Sequence, residues 1–132
     1  MSFTNNNIFK YRSLCRKIHK KNKNLIGLVN DHHIIPKSLR HHSLLKTTNF
    51  KINENYNLYI MPNSEKSLKI LNLRKDTLIH NGGHLKYNKF VKKNLNIISS
   101  FKSYDEKCYQ LWLFVNFLKD NLRLNKENIP WN

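Results

Sequence analysis

Alanine is missing altogether from these 132 residues, and glycine (3), proline (3) and cysteine (2) are scarce. Each scarcity argues against a class of protein. Cys15 and Cys108 stand far apart and in no Cys-x-x-Cys pair, which argues against a disulfide scaffold or a cysteine-based zinc framework, so both read as structural residues. So few glycines leave no glycine loop to cradle a phosphate, and no internal repeat is present. No apolar run approaches the roughly 20 residues of a membrane span, and the first residues lack the apolar stretch of a secretory signal. A soluble, intracellular protein with no membrane partner is expected.

Acidic residues are few as well, 8 against 24 Lys and Arg, for a net charge of +16. None precedes Asp31, whereas Lys10, Arg12, Arg16, Lys17, Lys20, Lys21 and Lys23 all do. A cationic surface of this kind attracts polyanions, and each phosphate it neutralises releases counterions, which makes binding salt-sensitive. Asn, Lys and Ile crowd the whole chain, however, so compositional bias accounts for much of the charge. Basicity makes a nucleic-acid partner plausible without establishing it.

The length fits one domain, residues 1–132, with a modest core. Ile8, Tyr11, Leu14, Cys15 and Ile18 recur at helical steps, predicting a basic amphipathic helix within residues 1–24, with Lys20 to Asn24 as a polar connector. An apolar stretch from Leu25 leads into Asp31-His32-His33-Ile34-Ile35, and Pro36 should end that strand. Lys37 to Asn55 is a long polar stretch with scattered anchors (Leu39, Leu44, Leu45, Phe50, Ile52). Tyr56 to Met61 reads as a second strand ended by Pro62. Asn63 or Ser64 should cap a short helix carrying Leu68 and Leu71.

Gly82-Gly83 should mark the entry to a helix rather than its middle. Beyond His84, Tyr87, Val91, Leu95 and Ile98 share one helical face to about Phe101. Ser103-Tyr104-Asp105-Glu106 fits a capping box, and Tyr104, Cys108, Leu111, Val115, Leu118 and Leu122 form a stripe over residues 103–122. Trp112, Phe114 and Phe117 are read with that stripe as core packing.

The chemistry lies in the histidines. Hydrolysis of a phosphodiester needs a base for the attacking water and positive charge where negative charge develops. Neighbouring residues of a strand point to opposite sides, so His32 and His33 can divide metal binding and proton transfer between them. His80 and His84, four apart, can complete a metal site from a second element. His41 and His42 sit in a polar loop without strand context and are read as nonligands, and His19 as exposed. Asp31 is open to three readings: a carboxylate ligand, an acceptor for an imidazole N–H, or a solvated acid at the strand end.

The order is β, β, α: His32-His33-Ile34-Ile35-Pro36-Lys37-Ser38-Leu39, then Asn57-Leu58-Tyr59-Ile60-Met61-Pro62, then His80-Asn81-Gly82-Gly83-His84-Leu85-Lys86-Tyr87-Asn88. This arrangement resembles the HNH/endonuclease VII superfamily, and within it the AHH-type nucleases, over roughly half to two-thirds of the chain. Asp31 departs from the pattern, standing where the subfamily's name has Ala.

The resemblance implies an α+β fold with a ββα-metal (His-Me finger) core over residues 25–95, its two strands an antiparallel hairpin, flanked by amphipathic helices. It implies an endonuclease that hydrolyses nucleic acid, DNA ahead of RNA, with double-stranded DNA as partner and a 5′ phosphate left behind. By position, His33 would be the general base and Asn57 the residue that fixes the hairpin and orients His33. His32, His80 and His84 would hold one divalent metal, Zn, Ni or Mn before Mg given the imidazole donors. Lys37, Lys86 and Lys89 would contact nucleic acid. The rival expectation is a noncatalytic nucleic-acid-binding protein with a structural zinc.

Overall fold

The computed structural model of the chain describes residues 16–124 and 128–131. Val29–His33 (β1) and Leu58–Pro62 (β2) pair antiparallel as a two-stranded sheet, with His32 opposite Tyr59 and His33 opposite Leu58. The strands do not form a tight hairpin. Positions 34–57 intervene, and they are mostly structured: 3-10 turns at Lys37–Leu39 and Asn55–Asn57 flank a helix, α2, at Ser43–Thr47.

In chain order the helices are α1, described over residues 16–22, then α2, α3 (Glu65–Ile70), α4 (Leu85–Ser99) and α5 (Tyr104–Leu124). The expected connector at Lys20 begins too early, because the helix continues through residue 22 and turns at Asn24, which takes a φ of 56°. The expected first turns of that helix, with Ile8, Tyr11, Leu14 and Cys15, lie outside the described residues.

Pro36 was expected to end the first strand; the ladder stops earlier, at His33. Ile34 and Ile35 are instead fully buried, and each such side chain stabilises the fold by about 1.5–3 kcal/mol. This burial anchors the chain just beyond the histidine pair. The second strand starts two residues later than expected, with Asn57 in the preceding 3-10 turn.

Ser64 caps α3 through its Oγ, which accepts the Ser67 N–H at 3.1 Å. Ser103 caps α5 in the same way, accepting the Glu106 N–H at 3.0 Å. The stripe of α5 is buried at Cys108, Leu111, Val115, Leu118 and Leu122, and the last four share one core cluster with Tyr87, Val91 and Leu95 of α4 and the isoleucine pair. Three of its expected members depart from that pattern. Tyr104, Trp112 and Phe117 are exposed by 44%, 43% and 39%, whereas Phe114 is buried. The inward arc of α5 is already filled by the smaller side chains, which leaves Trp112 and Phe117 on its flank.

Beyond α5 the chain returns to the sheet. Asn128 donates to Asn121 Oδ1 at 3.2 Å, Ile129 is buried, and the Trp131 indole N–H donates to the Ile79 carbonyl at 3.1 Å. No helix among the described residues is long and apolar enough to cross a membrane.

Candidate metal and catalytic site

The end of β1, the loop before α4 and the returning C-terminal segment meet at a cluster of imidazoles. His32 projects from β1 and is 4% exposed. Its ring centroid lies 5.1 Å from that of His80 and 6.2 Å from that of His84, and the latter two are 5.3 Å apart. His80 is held by its backbone, its N–H donating to the Pro62 carbonyl at 2.9 Å and its carbonyl accepting from the Asn30 side chain at 3.1 Å. His84 stands just before α4, and its carbonyl accepts the Asn88 N–H at 2.8 Å. Gly82 and Gly83 therefore lie outside the helix, where the cost of glycine within a helix does not arise.

Four nitrogens in this cluster are buried without a hydrogen-bond partner: Nε2 of His32, Nδ1 of His80, and both ring nitrogens of His84. Buried polar atoms are ordinarily paired, so orphans concentrated on three adjacent imidazoles mark a place for a ligand. Burial, reinforced by His80, His84 and His33, pulls His32 from 6.5 down to about 3. His80 and His84 are lowered as well, each chiefly by burial, with His33 adding to the first and His80 to the second, while the Trp131 backbone near His84 partly offsets its shift. All three are held neutral near pH 7, the form in which imidazole offers a lone pair to a metal.

The donor set therefore fits a transition metal. Among the described residues, no group of three or more His, Cys, Asp or Glu side chains is already drawn tightly enough to hold an ion. The rings meet at 46–83° to one another, and gathering them on one centre takes a closer approach of the side chains.

A cleft of about 200 Å³ opens on the cluster, lined by Asp31, His32, His33, Pro36, Lys37, His80, Gly82, Gly83, His84 and Asn88. His33 is thus on the wall of the cavity that holds the other three imidazoles. Its Nε2 meets Asn53 Oδ1 at 2.9 Å. Asn57 acts one step further back: fully buried, it accepts the Ile35 N–H at 2.7 Å and donates to the carbonyls of Ile35 and Ile52 at 3.1 and 2.8 Å. The side-chain partner of the His33 ring is therefore Asn53, while Asn57 secures the backbone that follows the strand.

Of the three expected nucleic-acid contacts, Lys37 lines the cleft and Lys86 is exposed in the first turn of α4. Lys89 lies with Lys92 and Lys93 along a larger, shallower groove on the outward face of α4. His41 and His42 stay outside the cluster. His42 caps α2, with Nδ1 accepting the Leu44 N–H at 3.1 Å and Nε2 meeting Asn96 Oδ1 at 2.7 Å, so both its nitrogens are engaged.

Residues 16–112, well over half of the chain, match a nuclease family of the HNH/endonuclease VII superfamily with conserved AHH. The chain belongs to the AHH nuclease family. No curated protein and no solved structure matches it. Within the matched region the pair His32-His33 is preceded by Asp31. The aspartate has ion partners on α1, lying 2.8 Å from Lys20 Nζ and 3.7 Å from Arg16 Nε. The acid thus tethers a basic helix to the strand that carries both histidines.

Two residues of the site carried no signal in the sequence. Asn53 is one asparagine among many. Trp131, which lies outside the matched region, stacks on His84 with centroids 3.9 Å apart and planes 27° apart, and also packs edge-on to His32. Nothing local links the chain end to a histidine 47 positions earlier.

Proposed function

We propose that the protein is a metal-dependent endonuclease that hydrolyses phosphodiester bonds, with DNA ahead of RNA as substrate. The observation that carries this reading is the group of unpartnered, neutral imidazole nitrogens on His32, His80 and His84, in a cleft that also presents His33. Those three residues would hold one divalent ion, Zn, Ni or Mn before Mg, because imidazole suits the later transition metals and Mg²⁺ prefers oxygen. When bound, the ion supplies positive charge to the scissile phosphate and the departing oxygen.

The rest is the work of the chain. His33 takes a proton from water as the water oxygen attacks phosphorus, and the P–O3′ bond breaks to leave a 5′ phosphate. Lys37, on the cleft wall, offers a cation to a neighbouring phosphate, and Lys86 and Lys89 extend that field along α4. Asn57 keeps the strand end in place and so sets where the His33 ring stands.

Cleavage of supercoiled DNA, linear DNA and RNA, each with Mg²⁺, Mn²⁺, Ni²⁺ or Zn²⁺, tests class and substrate together. His33→Ala is expected to keep its metal content and DNA affinity while losing at least about 100-fold in rate. Wild-type protein that bound zinc and DNA yet cut nothing would be a nucleic-acid-binding protein with a structural metal.

A further inference from the structure

We infer that Asn53 is a positioning residue for His33, its carboxamide oxygen accepting the Nε2 hydrogen and leaving Nδ1 as the nitrogen that takes the proton from water. The inference rests on the reading of His33 as the base.

The 2.9 Å contact joins His33 Nε2 to the amide oxygen of Asn53, which can only accept, so the imidazole must donate. In a neutral ring one nitrogen carries the hydrogen and the other the lone pair, and the hydrogen bond made by one decides the state of the other. Asn53 is not among the residues that line the cleft. The bond thus engages Nε2 with a residue outside the cleft wall and reserves Nδ1 for chemistry within it.

The backbone supports the same pairing. Asn57 donates through Nδ2 to the carbonyl of Ile52, the residue before Asn53, and to that of Ile35, two residues after His33. Its own carbonyl accepts the Ile34 N–H at 2.8 Å. One buried side chain thereby ties the Asn53 loop and the His33 strand end to a common point. The two partners of the 2.9 Å contact are held in mutual register, although Asn53 itself is at the surface. A base held in one orientation reacts faster than one that rotates, and small misplacements are costly.

Nitrogen-15 NMR of the full chain with Zn²⁺ present, at one fixed pH, reads the arrangement directly. Wild-type His33 is expected to show a one-bond hydrogen–nitrogen cross-peak at Nε2 and a bare Nδ1. In Asn53→Leu that cross-peak should be lost to solvent exchange, with kcat down about tenfold and KM within about twofold. Asn53→Asp, which still accepts, should retain the cross-peak and recover most of kcat.

A hydrogen on Nδ1 in the wild type, or an Nε2 signal unchanged in Asn53→Leu, would overturn the inference even if His33 proved essential for cleavage. If the signals behave as expected but the protein cuts no nucleic acid, the Asn53–His33 pairing stands and the endonuclease reading fails.

Discussion

Asn57 engages both main-chain polar groups of Ile35, accepting its N–H at 2.7 Å and donating to its carbonyl at 3.1 Å. Both residues are fully buried. A single asparagine therefore satisfies backbone groups that lie two residues beyond His33, where the ladder has ended and no strand partner remains. Position 57 needs an acceptor and two donors on one short arm, a combination that aspartate and alanine do not offer.

Asn57→Ala should accordingly destabilise the protein by at least about 3 kcal/mol, since it strands the Ile35 N–H and the Ile35 and Ile52 carbonyls at roughly 1–3 kcal/mol per buried group. Asn57→Asp keeps only the acceptor and sets a buried carboxyl against two carbonyl oxygens, so it should lose at least as much. Urea unfolding of the variants measures both. A loss below about 1 kcal/mol for Asn57→Ala would show that water or rearrangement supplies the missing partners.

Tyr87 reaches the same segment from α4, its hydroxyl donating to the Ile34 carbonyl at 2.6 Å while its ring packs beside His32 at 5.3 Å. Burial raises its hydroxyl well above the usual tyrosine range, so it is a neutral donor at any working pH. Tyr87→Phe should cost about 1–2 kcal/mol and leave the metal affinity within about threefold of wild type. A tenfold loss of affinity in calorimetry would instead assign the hydroxyl a part in orienting the imidazoles.

Much of this framework is legible in the sequence because it obeys simple periods and stops. The stripe from Tyr87 to Ile98 and the capping box at Ser103 yield α4 and α5, and the two prolines bracket the strands to within a few residues. α2 is not legible, because a five-residue helix that buries the adjacent pair Leu44 and Leu45 has no period to detect, and its cap is a histidine. The same limit applies to the site. His32, His80 and His84 are recognisable by type and spacing and do come together, whereas Asn53 and Trp131 enter through long-range packing that leaves no local trace.

Asp31 offers a test of what the departure from AHH does. Its ion pairs with Lys20 and Arg16 are partly solvent-exposed, and pairs of that kind contribute about 0–1 kcal/mol. Asp31→Ala, which restores the AHH triplet, should lower stability by no more than about 1 kcal/mol, with the difference vanishing in about 1 M salt. Cleavage should persist within a few-fold. Complete loss of metal binding in this variant would make Asp31 a ligand.

The lowered histidines give the metal-free protein a particular response to acid. His32 titrates near 3 when folded and near 6.5 when unfolded, so between those values the unfolded chain binds the proton and the folded one does not. Stability is therefore complete above about pH 6.5 and falls as the pH drops toward 3. His80 and His84, also lowered, act in the same direction. His32 alone should remove on the order of 3 kcal/mol by about pH 4, read as a falling melting temperature in the presence of a chelator. In the His32→Phe variant the slope should flatten; an unchanged slope would place the acid sensitivity in other groups.

Trp131 supplies a reporter for the same cluster. Its indole stacks on His84 at 3.9 Å, and the protein's other tryptophan, Trp112, is on the exposed flank of α5. In a Trp112→Phe background the fluorescence comes from Trp131 alone, and Ni²⁺ or Co²⁺ bound through His84 should quench it strongly at such short range. The quenching titration should coincide with a rise in melting temperature, since an ion at 100 times its Kd adds about 2.7 kcal/mol to stability. Both responses should disappear in His32→Ala and His84→Ala. Thermal stabilisation by Ni²⁺ without any change in Trp131 emission would mean that the ion binds elsewhere, and the assignment of His84 as a ligand would fall.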